Sequence, residues 1–167
     1  MLPSPLLFLE NLFVEIEHKV PGFTAGTFPI DHICYRVETE ARYAELKAAL
    51  AKEHSLLAET EVGGRPIATF RLSQPFVFRE ENIPLLELPM PKTGKFYAEG
   101  YEHIEMVIDV DFRTFMRRFP TLEFDTKAIN KQVNPEVRVR FASGTVKFHH
   151  QSLAEVIRNA KKIDSEF

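Results

Sequence analysis

An acid–histidine pair occurs twice in this chain, each time at the start of an apolar-rich segment. The first copy is Asp31-His32 and the second is Glu102-His103. The residues that follow each pair read as a β-strand. Two histidines placed alike on two copies of one unit can converge on one metal ion. The repeat therefore constrains the fold and the chemistry together.

The secondary structure predicted after each acid–histidine pair follows the same order of strand, helix and three strands. The first copy is predicted to contain a strand at 30–37, a helix at 39–50 and strands at 55–62, 66–70 and 83–88; the second, a strand at 102–109, a helix at 111–119 and strands at 122–129, 136–141 and 145–149. Internal duplication of this kind predicts an α+β protein of two tandem βαβββ modules, at about residues 30–91 and 100–150.

Helices are predicted at both ends of the duplicated part. Apolar residues at helical spacing between residues 4 and 20 predict a helix that ends at Pro21-Gly22. Residues 1–29 are therefore interpreted as an N-terminal helical extension. Residues 30–167 are interpreted as one domain that closes with an amphipathic helix at 152–163.

The composition argues against several classes of function. A net charge of −3 with no basic block gives no sign of a nucleic-acid partner. No stretch reaches the roughly 18 apolar residues that span a membrane, and the N-terminus lacks the basic start of a secretory signal. The single cysteine, Cys34, excludes an intramolecular disulfide and suits a reducing compartment. We therefore expect a cytoplasmic protein with a small-molecule ligand, while the oligomeric state stays open.

Both histidines are predicted to lie on the more polar face of their strands. Side chains alternate between the two faces of a strand, so His32 shares a face with Cys34, and His103 shares one with Glu105. The intervening residues are mostly apolar and are expected to pack against a helix. In a duplicated sheet the two polar faces would line one cavity.

The fourth strand of each module adds a candidate metal ligand. Glu87 lies in an apolar run, where an unpaired carboxylate is costly. The corresponding strand ends in His149-His150, of which we favour His149. Two or three imidazoles with one carboxylate suit one divalent ion of Zn, Fe, Mn, Ni or Co, with positions left for substrate oxygens. A surface or hydrogen-bonded role is the alternative for each histidine.

One glutamate and four arginines complete the predicted site. Glu105 could act as a general base near the metal, orient a ligand, or be a surface acid. Arginines on shared strand faces could clamp a carboxylate or phosphate of the substrate, or could pair with acids on a solvated face. These arginines are Arg65, Arg71, Arg138 and Arg140.

Several segments together resemble the YecM family. They are Asp31-His32-Ile33, Gly64-Arg65-Pro66-Ile67, Leu86-Glu87-Leu88-Pro89-Met90-Pro91, Gly100-Tyr101-Glu102-His103-Ile104-Glu105, Asn134-Pro135 and Lys147-Phe148-His149. The resemblance covers about residues 30–160. That family is similar to the vicinal oxygen chelate superfamily, which includes glyoxalase I, extradiol dioxygenases and methylmalonyl-CoA epimerase.

The resemblance implies an incomplete β-barrel of paired βαβββ modules, whose metal ligands come from the first and fourth strands of each module. On this chain the implied ligands are His32, Glu87 and His103, with His149 where many superfamily members have Glu. We expect a metal-dependent isomerase, lyase or dioxygenase acting on a small oxygen-chelating substrate, with Glu105 as its base. The alternatives are a non-catalytic small-molecule-binding protein and a scaffold with a vestigial metal site.

Overall fold

The computed structural model describes residues 2–164, which form four α-helices and eight strands. In chain order they are α1 (Leu6–Lys19), β1 (Ile30–Arg36), α2 (Glu40–Glu53), β2 (Ser55–Glu61), β3 (Pro66–Phe78), β4 (Glu81–Pro89), β5 (Gly100–Val107), α3 (Phe112–Arg118), β6 (Phe124–Asp125), β7 (Glu136–Arg140), β8 (Thr145–His149) and α4 (Leu153–Asp164). Side chains at the predicted caps begin two of the helices, because Thr39 accepts from Arg42 N and Asp111 accepts from Thr114 N.

All eight strands belong to one mixed sheet, in the order β2-β3-β4-β1-β5-β8-β7-β6. Within each module the first and fourth strands are parallel, as β1 with β4 and β5 with β8. The two modules join through antiparallel pairing of β1 with β5. This mirrored arrangement confirms the prediction of two tandem βαβββ modules, and the sheet stays open between its edge strands β2 and β6.

Two strands differ in length from the sequence prediction by more than three residues, while the others agree with it more closely. β3 continues to Phe78 instead of ending at residue 70, because its pairing with β4 resumes at Phe76. Between Arg71 and Phe76 that pairing is interrupted. Pro75, which has no N–H for a ladder, falls within that interruption. β6 covers only two residues of the predicted 122–129. The chain turns after it, since Asp125 accepts a hydrogen bond from Lys127 N at 3.0 Å.

The hydrophobic core lies on the face of the sheet opposite the two histidines. Ile33 of β1 and Ile104 of β5 are fully buried in it, as the alternation of faces predicts. The ring of Phe28, which precedes β1, meets the ring of Phe148 in β8 edge-on, with centroids 6.4 Å apart. Such ring pairs add about 0.5–1.5 kcal/mol beyond the burial of their area. Other phenylalanines surround this pair, namely Phe23, Phe115, Phe119 and Phe124.

Hydrogen bonds connect the terminal helices to the sheet. On α1, Glu15 accepts hydrogen bonds at 2.8 Å from the backbone N–H groups of Ala142 and Ser143, in the turn between β7 and β8. At the start of α4, Leu153 N donates to Asp31 of β1 at 2.9 Å. Among the helices of residues 2–164, none has the length and apolar character of a membrane-spanning segment.

Candidate metal centre

Four side chains from three adjacent strands bring metal-ligating atoms together on the polar face of the sheet. They are His32 of β1, Glu87 of β4, and His103 and Glu105 of β5, and their candidate ligand atoms all lie within 4.8 Å of one another. Nε2 of each histidine lies 3.6 Å from Glu87 Oε2. Glu105 Oε1 is 3.4 Å from His32 Nε2 and 3.3 Å from His103 Nε2. Neighbouring ligands of an ion with bonds of about 2.1 Å lie roughly 3.0–3.4 Å apart, so small adjustments would fit one divalent ion.

The pairing of the three strands explains why these four residues meet. His32 lies directly opposite Glu105, and Cys34 lies opposite His103. On the other side of β1, Cys34 is level with Glu87. The cluster therefore follows from register, and the buried Cys34, which forms no disulfide, lies between Glu87 and His103.

The acid that precedes each histidine is a bulged residue. The β1–β5 register skips Asp31 between Ile30 and His32, and it skips Glu102 between Tyr101 and His103. A β-bulge re-aims a side chain, so each acid can reach its neighbouring ring although adjacent strand residues normally face apart.

These bulged acids set the orientation of both imidazoles. Asp31 Oδ2 accepts from His32 Nδ1 at 2.9 Å, and Glu102 Oε2 forms a short hydrogen bond with His103 Nδ1. With Nδ1 engaged, each ring directs Nε2 towards the cluster, the arrangement that a carboxylate bonded to the other ring nitrogen imposes on a metal-ligating histidine. The acid–histidine repeat was visible in the sequence, but its orienting role depends on the bulges.

The chemistry of the cluster fits a metal ion. His32 Nε2 is buried and makes no hydrogen bond within the described chain, although the carboxylates of Glu87 and Glu105 lie 3.6 and 3.4 Å away. A buried nitrogen in this state calls for a ligand that it and the carboxylates can share. Two imidazoles and two carboxylates are donors that Zn, Fe, Mn, Co and Ni accept. Three of the predicted ligands, His32, Glu87 and His103, thus lie together, joined by Glu105.

The fourth strand of the second module brings a lysine to the cluster. In the first module Glu87 of β4 is level with Cys34 of β1, and in the second Lys147 of β8 is level with Glu105 of β5. Lys147 is therefore the counterpart of Glu87. Its ammonium donates to Glu105 Oε1 at 2.6 Å and lies 3.0 Å from His103 Nε2. A metal ion and this ammonium would compete for the same Nε2 lone pair.

His149, the predicted fourth ligand, lies one step further along the same face of β8. Its Nε2 is buried without a hydrogen-bond partner in the described residues and lies 3.3 Å from Glu105 Oε2, while its Nδ1 meets the Gln151 carbonyl. It groups with Asp31 and His32 rather than with Glu87. The alternative, His150, instead packs its ring on Phe112 and its Nδ1 lies 3.2 Å from the Ile108 carbonyl oxygen.

The buried charges in this cluster stabilise one another. Burial alone would lower the pKa of His32, but Glu105 and Glu87 raise it well above its ordinary value. Burial would raise the pKa of Glu105, whereas Lys147 and His32 hold it well below its usual range. Burial lowers the pKa of Lys147, yet Glu105 and Glu87 raise it, so the ammonium stays charged.

A cavity of about 350 Å³ opens beside the ligand cluster and is strongly basic. Glu87 and His103 of the cluster also line the cavity, and so does Lys147, which contacts Glu105 and His103. Three of the four predicted substrate-binding arginines line it, whereas Arg71 is exposed and is not part of the lining. The basic side chains of the wall are Arg36, Arg65, Lys92, Lys131, Arg138, Arg140 and Lys147.

Four basic residues of the cavity wall were missed in the sequence, namely Arg36, Lys92, Lys131 and Lys147. Arg36 shares the face of His32 and Cys34, so the alternation of β1 could have identified it. Lys147 shares the face of His149, and alternation alone cannot separate these two positions. Only the register of β8 against β5 distinguishes them.

Comparison with known proteins agrees with this architecture. The family model described as "YecM protein" matches residues 7–160. Protein YecM of Escherichia coli (strain K12) is 28% identical over 171 residues, which cover 93% of this chain and 88% of that protein.

Solved structures share the fold. One described as "Structural Genomics, Protein EC4020" has a TM-score of 0.76 and 26% identity, covering 92% of this chain and 87% of its own. Hypothetical protein BH1468 from Bacillus halodurans C-125 has a TM-score of 0.52 and 15% identity, covering 75% of this chain and 95% of its own. At that identity the second likeness concerns the fold alone.

Proposed function

This chain belongs to the YecM family, and we propose that it is a divalent-metal enzyme of the vicinal oxygen chelate type. Its substrate would be a small molecule that offers two neighbouring oxygens to the ion, such as an α-hydroxy carbonyl compound or a 2-oxo acid. The observation that carries the proposal is the convergence of His32, Glu87, His103 and Glu105 from adjacent strands of two duplicated modules. The proposal covers isomerase, lyase and dioxygenase chemistry, which a site of this kind can serve.

The histidines of the cluster would bind the ion, and the charged residues around them would set its electrostatic environment. His32 and His103 would bind through Nε2, because Asp31 and Glu102 engage Nδ1. A bound ion would polarise a carbonyl oxygen of the substrate. Lys147 would keep one charge of the carboxylate pair neutralised through its contact with Glu105.

Glu105 has two candidate roles, and the geometry favours one of them. As a general base it would take a proton from the substrate carbon beside the polarised carbonyl. As a ligand it would bind through Oε1, which lies 3.3–3.4 Å from both histidine Nε2 atoms. We favour the ligand role, with His149 Nε2, 3.3 Å from Oε2, orienting the second oxygen of Glu105.

Metal analysis of the purified chain tests the proposal. After reconstitution with Zn, Mn, Fe, Co or Ni, we expect one ion per chain, measured by plasma mass spectrometry and titration calorimetry. His32→Ala and His103→Ala should each lose the ion. His18→Ala is the matched control, because His18 is exposed on α1. Absence of a bound ion, or equal binding by all three variants, would contradict the proposal.

A non-catalytic small-molecule-binding protein is the second candidate. The observation in its favour is Lys147, whose ammonium already supplies a cation between His103 and Glu105. A panel of 2-oxo acids and α-hydroxy carbonyl compounds separates the two, since turnover by the metal-loaded protein supports the enzyme and binding without turnover supports the alternative. A cytoplasmic location, which the single unpaired cysteine favours, stays a prediction.

A further inference from the structure

The basic residues of the cavity outnumber the acids that could neutralise them. Seven basic side chains and three acidic ones, Glu87, Glu102 and Glu136, line the wall. Each acid is already engaged. Glu136 lies 2.8 Å from Arg138 and 3.2 Å from Lys131. The excess positive charge therefore faces the cavity without an internal counter-charge.

Two arginines on the first-module side of the cavity are the least satisfied. Arg65 donates from Nη1 to the Met90 carbonyl at 3.0 Å, but its Nε is buried without a partner, and no ion pair of this residue occurs within residues 2–164. Arg36 lies 3.3 Å from Glu102, whose carboxylate is already bonded to His103, and its Nε and Nη1 make no hydrogen bond. A guanidinium left in this state is stabilised by an incoming anion.

The ring of Tyr97 holds these two arginines together. The guanidinium carbon of Arg36 lies 4.5 Å from the ring centroid and that of Arg65 lies 5.8 Å from it. Stacking on an aromatic ring limits the freedom of both side chains, so little entropy remains to be lost when an anion binds.

The position of this arginine pair limits the ligand. Arg36 follows Cys34 by two residues on one strand face, which separates their Cα atoms by about 7 Å. Cys34 is level with Glu87 and His103 of the ligand cluster. A cavity of about 350 Å³ is at the small end for ligand sites. A short molecule can therefore reach the metal ligands with one end and the arginines with the other.

We propose that the substrate is a small molecule with two anionic groups, and that Arg36 and Arg65 bind the second of them, a carboxylate or a phosphate. Its first end would be the oxygen chelator of the proposed function, on which this part of the inference rests. The other basic residues of the wall are less suited to the second group. Arg138 and Lys147 have close carboxylate partners, at 2.8 and 2.6 Å. The remaining three are exposed to solvent, namely Lys92, Lys131 and Arg140.

Titration calorimetry with matched probes tests the arginine pair. 2-Oxoglutarate and 2-oxobutyrate differ by the second carboxylate, and 3-phosphoglycerate and glycerate differ by the phosphate. The full chain should bind the member that carries the second anionic group about 10-fold more tightly in at least one pair, both when metal-loaded and after chelator treatment. Arg65→Gln should remove most of that preference while leaving the metal affinity unchanged. Arg36→Lys should retain part of it.

The control variant is Arg118→Gln, which removes an exposed arginine from α3 and should keep the full preference. The pair of probes with the larger preference identifies the anion as carboxylate or phosphate. If no probe with the second anionic group binds more tightly than its partner, or if Arg65→Gln keeps the preference, the inference is overturned. An arginine-dependent preference in a chain that binds no metal would support the anion site while contradicting the metal enzyme.

Discussion

The two modules present different charges to the site from matching positions. In the first module, Cys34 on the first strand is level with Glu87 on the fourth; in the second, Glu105 is level with Lys147. In the second module the acid therefore lies on the first strand instead of the fourth, and a lysine occupies the fourth-strand position. Because β1 and β5 are antiparallel neighbours, Glu105 still reaches His32, directly opposite.

In this chain the two modules bring their polar side chains to one meeting point, although different strand positions supply the two carboxylates. Two histidines and two carboxylates converge, as a symmetric site would have them, although the second carboxylate comes from an unexpected strand. In the second module the fourth strand supplies Lys147 instead of an acid, and its ammonium contacts both Glu105 and His103. The site is therefore asymmetric in charge while nearly symmetric in shape.

Making the first module resemble the second should have the largest effect. Glu87→Lys removes a carboxylate and adds a second ammonium beside both histidines, so we expect metal affinity to fall by about 1000-fold or more, roughly 4 kcal/mol. Titration calorimetry measures it, with Glu80→Lys on an exposed turn as the control. Wild-type affinity in Glu87→Lys would mean that β4 supplies no ligand.

The two orienting acids should differ in importance. Asp31 is buried and also accepts from Leu153 N of α4, whereas Glu102 is partly exposed. We expect Asp31→Ala to weaken metal binding by about 100-fold and Glu102→Ala by about 10-fold. Asp31→Ala should also lower the melting temperature by roughly 4–8 °C, since losing both buried bonds costs about 2 kcal/mol. Equal losses in the two variants would show that burial and the α4 contact are irrelevant.

Removing the basic residue of the second module should strengthen metal binding. Lys147→Met keeps much of the side-chain length but deletes the ammonium that competes for His103 Nε2. We expect a gain in metal affinity of about 10-fold, because a like charge a few ångströms from the ion is lost. Lys127→Met, at an exposed position, should change nothing. A weaker affinity in Lys147→Met would instead mean that the lysine is needed to hold Glu105 in place.

The smallest effect on metal binding should come from His149. Because its Nε2 approaches Glu105 rather than Glu87, we expect His149→Gln to change metal affinity by less than about 3-fold. His150→Gln, with its ring packed on Phe112, is the companion variant. A loss of about 100-fold in His149→Gln alone would establish this histidine as the fourth-strand ligand.

Much of the architecture could be predicted because it depends on local patterns. The order of the elements follows from periodicity, and the faces of His32 and His103 follow from strict alternation along a strand. Glu87 was recognisable as an acid in an apolar run. Alternation could not choose between Lys147 and His149, because residues two apart on a strand share a face. Nor could it reveal that the bulges at Asp31 and Glu102 bring each acid to its neighbouring imidazole.

The sequence by itself determined which side chains leave the core, since burial of apolar residues on one strand face commits the alternate positions to the other face. Tertiary structure alone decided which of these side chains meet. Register between distant strands, and a single skipped residue at each bulge, set the partners of His32 and His103. Those pairings arise only when the two modules dock through β1 and β5, so a contact across the sheet leaves no local trace in the chain.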